Sequence, residues 1–148
     1  MRNSLGLRIP DGMHDLLPQE EKLLAELEKK ILNLFRAWSY HKVTTPTLEY
    51  GACVQPDIDS GESLFKFFDR HGHVLVLRPE LTTPIARLVS TRLRGCPLPL
   101  RLCYSADVFR DTLRGPKEFR QAGVELVGSA SELADAEVIA LAVHGIKV

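Results

Sequence analysis

Between Gln19 and Trp38 the apolar positions fall at Leu23, Leu24, Leu27, Ile31, Leu34, Phe35 and Trp38. Steps of three and four along a chain make one wide apolar stripe on a helix, and a stripe of that width must dock on something large. Pro18 suits the first turn, where its missing N–H would have had no partner. Glu26 and Lys30 sit four apart on the polar side in the favourable order. Beyond the helix the pattern changes. The β-branched run Val43-Thr44-Thr45 predicts a strand, and Pro46, which cannot donate to a ladder, marks its end, its edge or a bulge. Residues 51–63 are mixed and predict a loop. Leu64–Asp69 and Val74–Leu77 predict a hairpin turning at Arg70-His71-Gly72-His73. Thr82-Thr83-Pro84 predicts a helix start with a hydroxyl cap, the helix running to about Leu93 and stopping by Gly95. Leu98–Tyr104 and Val108–Arg110 predict strand, 111–117 a loop, and Glu118–Val127 a further strand. Ser129–Ser131 opens a last helix that ends at Val143, and residues 1–19 read as irregular. Helix, strands, helix, strands, helix, with hairpin-like neighbours, predicts an α+β fold: a mostly antiparallel sheet flanked by helices.

The 148 residues suit one domain. Nineteen basic residues face nineteen acidic ones, so the chain lacks the basic excess of a dedicated nucleic-acid binder. Neither a signal peptide nor a membrane span is expected, because no apolar stretch is long enough. Cys53, Cys96 and Cys103 show no C-x-x-C spacing and predict buried reduced thiols in a cytoplasmic protein. His71 and His73 share a hairpin tip without a third ligand nearby, so they read as solvated polar residues. No metal or cofactor is expected.

Three segments mix polar residues into strand or strand-end positions. Glu80 follows a strand and precedes a helix, where its carboxylate either receives an ammonium group or complements the helix dipole. Arg110 ends an apolar strand and offers a fixed fork to a carboxylate or phosphate. Along Phe119–Val127, alternation puts Gln121, Gly123 and Glu125 on one face and Ala122, Val124 and Leu126 on the other. The first face is either a solvated outer surface or a ligand floor with room above Gly123. With Thr82, these segments supply two acids, an amide, an arginine and a hydroxyl, a set that suits a zwitterion such as an amino acid. No nucleophile–base pair is apparent, which points to binding more than to covalent catalysis.

In this order the segments resemble the start of the catalytic domain of histidyl-tRNA synthetase, a class II aminoacyl-tRNA synthetase fold. The helix and the strand ending at Pro46 look like motif 1, the dimer-interface element. Leu77-Arg78-Pro79-Glu80-Leu81-Thr82 looks like the family's Arg-Pro-Glu-Gly-Thr segment, and Phe109-Arg110 through Glu125 like motif 2 and the strand after it. The likeness implies a histidine pocket lined by Glu80, Thr82, Gln121 and Glu125, with Arg110 facing the carboxylate. A closer match is the synthetase-like regulatory subunit of ATP phosphoribosyltransferase. That family shares Ile9-Pro10-Asp11-Gly12, Asp15-Leu16-Leu17-Pro18, Leu77 to Leu88, Pro99–Tyr104 and Gln121–Gly128.

Two departures set the chain apart from a working synthetase. Leu81 replaces the synthetase's glycine, adding bulk beside the expected pocket acid. The loop Asp111–Lys117 is shorter than the usual motif 2 loop, which in the family holds ATP and the tRNA acceptor end, and lacks its glutamate. Motif 3 should lie well beyond residue 148, so residues 1–148 read as a partial class II domain, either a fragment or a truncated gene product. The resemblance therefore implies a non-catalytic regulatory subunit acting with the short-form ATP phosphoribosyltransferase catalytic subunit in the first step of histidine biosynthesis. It further implies a homodimer through the 19–38 helix and the following strand, and a histidine ligand, with tRNA not expected. The alternatives are a fragment of a histidyl-tRNA synthetase and a free-standing amino-acid-binding module.

Overall fold

The computed structural model describes residues 7–54 and 64–148. Helix α1 (Pro18–Ala37) begins at the expected proline, and the Glu20 carboxylate reaches back to accept from the Leu17 N–H at 2.9 Å. Strand β1 (His41–Lys42) follows a turn in which Ser39 takes a left-handed φ of 65°. Then come β2 (Leu48–Tyr50), a 3-10 turn (Gly51–Cys53), β3 (Lys66–Phe68), β4 (Val74–Leu77), α2 (Thr82–Arg92), β5 (Leu100–Phe109), β6 (Glu118–Val127) and α3 (Glu132–Ile146). Most of the loop expected over 51–63 lies outside the described residues.

The strands form two three-stranded sheets, ordered β1-β5-β6 and β2-β4-β3. Every pairing is antiparallel except β1 with β5, so the larger sheet is mixed. In β5 alternate residues face opposite sides. Leu102, Tyr104 and Val108 pack with Leu81 and Ile85 under α2. Cys103, with Val124 and Leu126 of β6, packs against Phe35, Tyr40 and Leu141 from the α1 and α3 side. The sheet is thus flanked by helices, α2 on one face and α1 with α3 on the other.

Several expectations shift. The strand expected at Val43–Thr45 is instead the two residues before it. Val43 still donates its N–H to Cys103 (2.9 Å), but the Thr45 and Pro46 carbonyls are taken by the Arg78 guanidinium, at 2.7 and 3.3 Å, and are lost to any ladder. The two strands expected between Leu98 and Arg110 are one, because β6 pairs with β5 from Leu100 to Phe109 without a break. Thr82 does not cap α2: the cap residue is Leu81, and both Glu80 oxygens accept from the Thr83 N–H at 3.1 Å. The last helix passes Val143 and runs to Ile146, capped by the Ser131 hydroxyl, which accepts from Leu133 N–H at 3.1 Å. Of the cysteines only Cys103 is buried, and Cys53 and Cys96 are exposed.

Side-chain ties join these parts. Arg78, 5% exposed, also donates to the Asp107 carbonyl (2.8 Å), while its own carbonyl accepts from Phe109 N–H (3.0 Å), so it bridges the two sheets. Arg87 on α2 grips Glu49 on β2 through two hydrogen bonds of 2.8 and 2.6 Å. Arg101 grips Glu137 on α3 in the same way (2.8 Å each), and Tyr40 donates to that carboxylate at 2.9 Å. The hairpin turns at Gly72, whose φ of 83° favours glycine, and Asp69 accepts from His71 and His73.

Candidate functional site

The α2 face of the larger sheet carries the expected residues. Register pairs Gln121 with Ala106, Gly123 with Tyr104 and Glu125 with Leu102, so the three β6 side chains stand on the face that α2 covers. Thr82, in the first turn of α2, donates its hydroxyl to Glu125 Oε1 at 2.8 Å. Glu80 stands two residues earlier on the same helix entry, its carboxylate on the Thr83 amide. Arg110 follows the last residue of β5 and donates Nε to the Pro79 carbonyl (2.9 Å), with its guanidinium 5.1 Å from the centre of the Phe119 ring. Arg110 is thereby anchored to the backbone immediately before Glu80. The Gln121 amide oxygen is buried without a hydrogen-bond partner.

Two features of this face differ from expectation. The space above Gly123 is not open: a Cβ there would lie 2.5 Å from the Tyr104 hydroxyl oxygen. The glycine makes room for a tyrosine of the protein itself. Leu81, for its part, adds no bulk to the pocket. It is 1% exposed and points into the core beneath α2, against the same cluster that holds Tyr104.

Tyr104 is the residue that sequence reasoning missed. It is buried, and burial pushes its phenol above the ordinary range. The Glu125 and Glu80 charges push in the same direction, and a hydrogen bond with Thr82 opposes them. A polar tip on an otherwise apolar alternating face of β5, opposite a glycine, was the available signal.

Chemically the face offers acceptors at Glu80 and Glu125, an amide oxygen at Gln121 and an anchored cation at Arg110. Nothing in it is a nucleophile activated by a base. Among the described residues, no three His, Cys, Asp or Glu side chains stand close enough to hold a metal ion. Two hollows lie apart from this face. One of about 530 Å³ beside β2 and β4 is lined mainly by apolar groups such as Tyr50, Val54, Leu64 and Val76. Another, of about 590 Å³, lies between the His14–Leu16 segment and the start of β6. Neither touches any of the five expected residues. No helix among the described residues is long and apolar enough to cross a membrane.

The family model described as histidyl-tRNA synthetase matches residues 12–148. A protein of Desulfitobacterium hafniense strain Y51 named "ATP phosphoribosyltransferase regulatory subunit" is 66% identical over 146 residues, covering 99% of this chain and 38% of that protein. A protein of the same name from Moorella thermoacetica is 51% identical over 151 residues, covering 99% of this chain and 39% of its own. The chain therefore spans about two fifths of the length of these relatives. Among solved structures, one described as an ATP phosphoribosyltransferase regulatory subunit/histidyl-tRNA synthetase from Bacillus halodurans C superposes with a TM-score of 0.85 at 39% identity, over 95% of this chain and 37% of that one. Apo histidyl-tRNA synthetase of S. aureus superposes with a TM-score of 0.81 at 28% identity, over 95% and 34%. The fold is that of a class II aminoacyl-tRNA synthetase, and the chain belongs to the histidyl-tRNA synthetase family.

Proposed function

We propose that this chain is part of a non-catalytic regulatory subunit of ATP phosphoribosyltransferase, working in the cytoplasm with a short-form catalytic subunit in the first step of histidine biosynthesis. The observation that carries this reading is the 66% identity over 99% of the chain to a protein of that name. The geometry agrees with a binding role. Thr82 at the entry of α2 is bonded to Glu125, Glu80 stands two residues before it with Arg110 anchored beside it, and Gln121 shares the β6 face with Glu125. In this reading they form a histidine pocket: carboxylates for the ammonium and imidazole, Arg110 for the carboxylate. Residues 1–148 supply the motif 1 and motif 2 regions of the domain. The subunit pairs with a second copy through α1 and the strand after it, and tRNA is not a partner.

The test is retention and stimulation. Immobilised chain should retain a short-form ATP phosphoribosyltransferase and change its turnover in a histidine-dependent way. A second reading, a piece of a histidyl-tRNA synthetase, is favoured by the S. aureus superposition. It requires histidine-dependent pyrophosphate exchange with ATP. Exchange that vanishes in Arg110→Ala, together with no retention of the phosphoribosyltransferase, would replace the first reading by the second.

A further inference from the structure

We infer that the turn Pro10–Met13 is a latch on the loop 111–117, and that Gly12 and Lys117 are positioning residues that set Arg110 for the carboxylate of a ligand. This deepens the histidine-pocket reading and rests on it for the ligand, though not for the latch itself. Residues 111–117 carry the chain from the end of β5 to the start of β6, with Arg110 at their entry. Two backbone hydrogen bonds meet at Lys117. Its N–H donates to the Gly12 carbonyl at 2.8 Å, and its carbonyl accepts from the Arg110 N–H at 2.9 Å. The turn before α1 is thus one residue removed from the pocket arginine.

Three observations converge. First, position 12 demands glycine twice. Its φ is 80°, in a turn closed by the Met13 N–H on the Pro10 carbonyl (3.0 Å). A Cβ there would also lie 2.6 Å from Lys117 Cγ and 3.2 Å from the Gly115 carbonyl oxygen, so the turn fits closely against the loop. Second, Lys117 is held along its whole length. Its ammonium pairs with Asp111 at 2.6 Å and stands 5.9 Å from the centre of the Phe65 ring, just before β3. Third, the turn supplies none of the residues of the two buried clusters, so its contacts serve the loop and not the core. Arg110 is then fixed at both ends: its backbone by Lys117, its Nε by the Pro79 carbonyl at 2.9 Å. A guanidinium fixed in advance loses little freedom when it takes a carboxylate, which strengthens that contact.

Hydrogen exchange followed by nuclear magnetic resonance reads the latch in the wild type. The Lys117 and Arg110 amides should exchange far more slowly than the amide of exposed Gly115 in the same loop. Gly12→Ala should speed both, and the Arg110 Nε–H, by about tenfold, while Leu102 and Val124 in the β5–β6 ladder keep their rates. Gly12→Ala/Lys117→Ala, which removes the Cγ and Cδ that the new methyl meets, should recover part of the protection. In parallel, calorimetry compares histidine with histamine, which lacks the carboxylate. Gly12→Ala should bind histidine about tenfold more weakly and histamine as the wild type does. A general loss of stability would weaken both alike. Lys117 exchanging as fast as Gly115 in the wild type overturns the latch, whether or not the variant folds. An unchanged preference for histidine over histamine in Gly12→Ala overturns the positioning of Arg110. If the wild type binds neither compound, the histidine-pocket reading fails. The Arg110 Nε–H then decides alone, and an exchange rate that Gly12→Ala leaves unchanged overturns the inference.

Discussion

Arg78 brings a guanidinium into the joint between the two sheets and finds backbone oxygens there: Thr45, Pro46 and Asp107 all accept from it. Alternation along the strand leading into Glu80 gives no hint of this, because the acceptors lie 33, 32 and 29 residues away in the chain. Replacing Arg78 with methionine keeps much of the volume and strands the buried Thr45 oxygen and the part-buried oxygens of Pro46 and Asp107, a fully buried one at about 1–3 kcal/mol. Urea denaturation should show Arg78→Met destabilised by roughly 3 kcal/mol or more. Arg78→Lys should lose less, since an ammonium still donates but cannot span the same fork. Tyr40 makes a second residue-scale prediction. Burial, the hydrogen bond to Glu137 and that carboxylate's charge push its phenol up to about 12 from an ordinary 10.0. A folded-state value above the unfolded one means the unfolded chain loses its proton first as pH rises. The stability Tyr40 contributes is complete below about pH 10 and falls between there and 12, by on the order of 2–3 kcal/mol. Melting temperatures across that range should fall less steeply in Tyr40→Phe, with a remaining slope from Tyr104, whose phenol is also raised.

Elements divide by how local their causes are. Helix α1 and strand β6 were legible because their periodicity is carried by their own residues, and both appear at nearly the expected bounds. The hairpin was legible from its glycine turn. Strand β1 was not, since two residues pair there only because β5 passes alongside in parallel, a contact made across about sixty residues. The site divides in the same way. Period two put Gln121 and Glu125 on one face correctly, but which neighbour fills the gap at Gly123 depends on the β5–β6 register, and no local pattern states it. The cap of α2 is a similar case. Thr82 and Thr83 have the right chemistry, yet the chain turns one residue early and Glu80 takes the Thr83 amide. Glu80→Ala should therefore destabilise the fold by about 1 kcal/mol, as Ser131→Ala should at the start of α3. Thr82→Val should cost α2 no cap. Urea midpoints for the three variants check this, and equal losses for Thr82→Val and Glu80→Ala would mean the hydroxyl shares in capping.

At the scale of the whole molecule, the helices on the α1–α3 side have more apolar surface than the sheet covers. The second half of α1 docks more fully than the first: Phe35 is buried and Leu24 half-buried, whereas Leu23 is 67% and Leu27 45% exposed, with Leu16 and Leu17 also exposed just before the helix. Helix α3 is apolar on nearly every side yet buries fully only Leu141, leaving Leu133, Ile139, Val143 and Ile146 in solvent. Covering a leucine-sized side chain stabilises by about 1.5–3 kcal/mol, so either surface suffices to drive association. We therefore expect the 148-residue chain to self-associate at micromolar concentration. The two surfaces make different assemblies. A contact through α1 would be isologous, as in the commonest oligomers, and end at a dimer. The apolar face of α3 is a different matter, because in the Desulfitobacterium relative the matched portion is 38% of the protein and further polypeptide is available to cover it. Sedimentation velocity on Leu23→Glu/Leu27→Glu and on Ile139→Glu/Ile146→Lys separates them. The α1 pair should return the chain to monomer with its helical circular dichroism intact, and the α3 pair should leave a dimer. If the α3 pair alone dissolves the assembly, the association comes from a face that longer relatives have chain to cover. A wild type that sediments as a monomer throughout refutes the dimer.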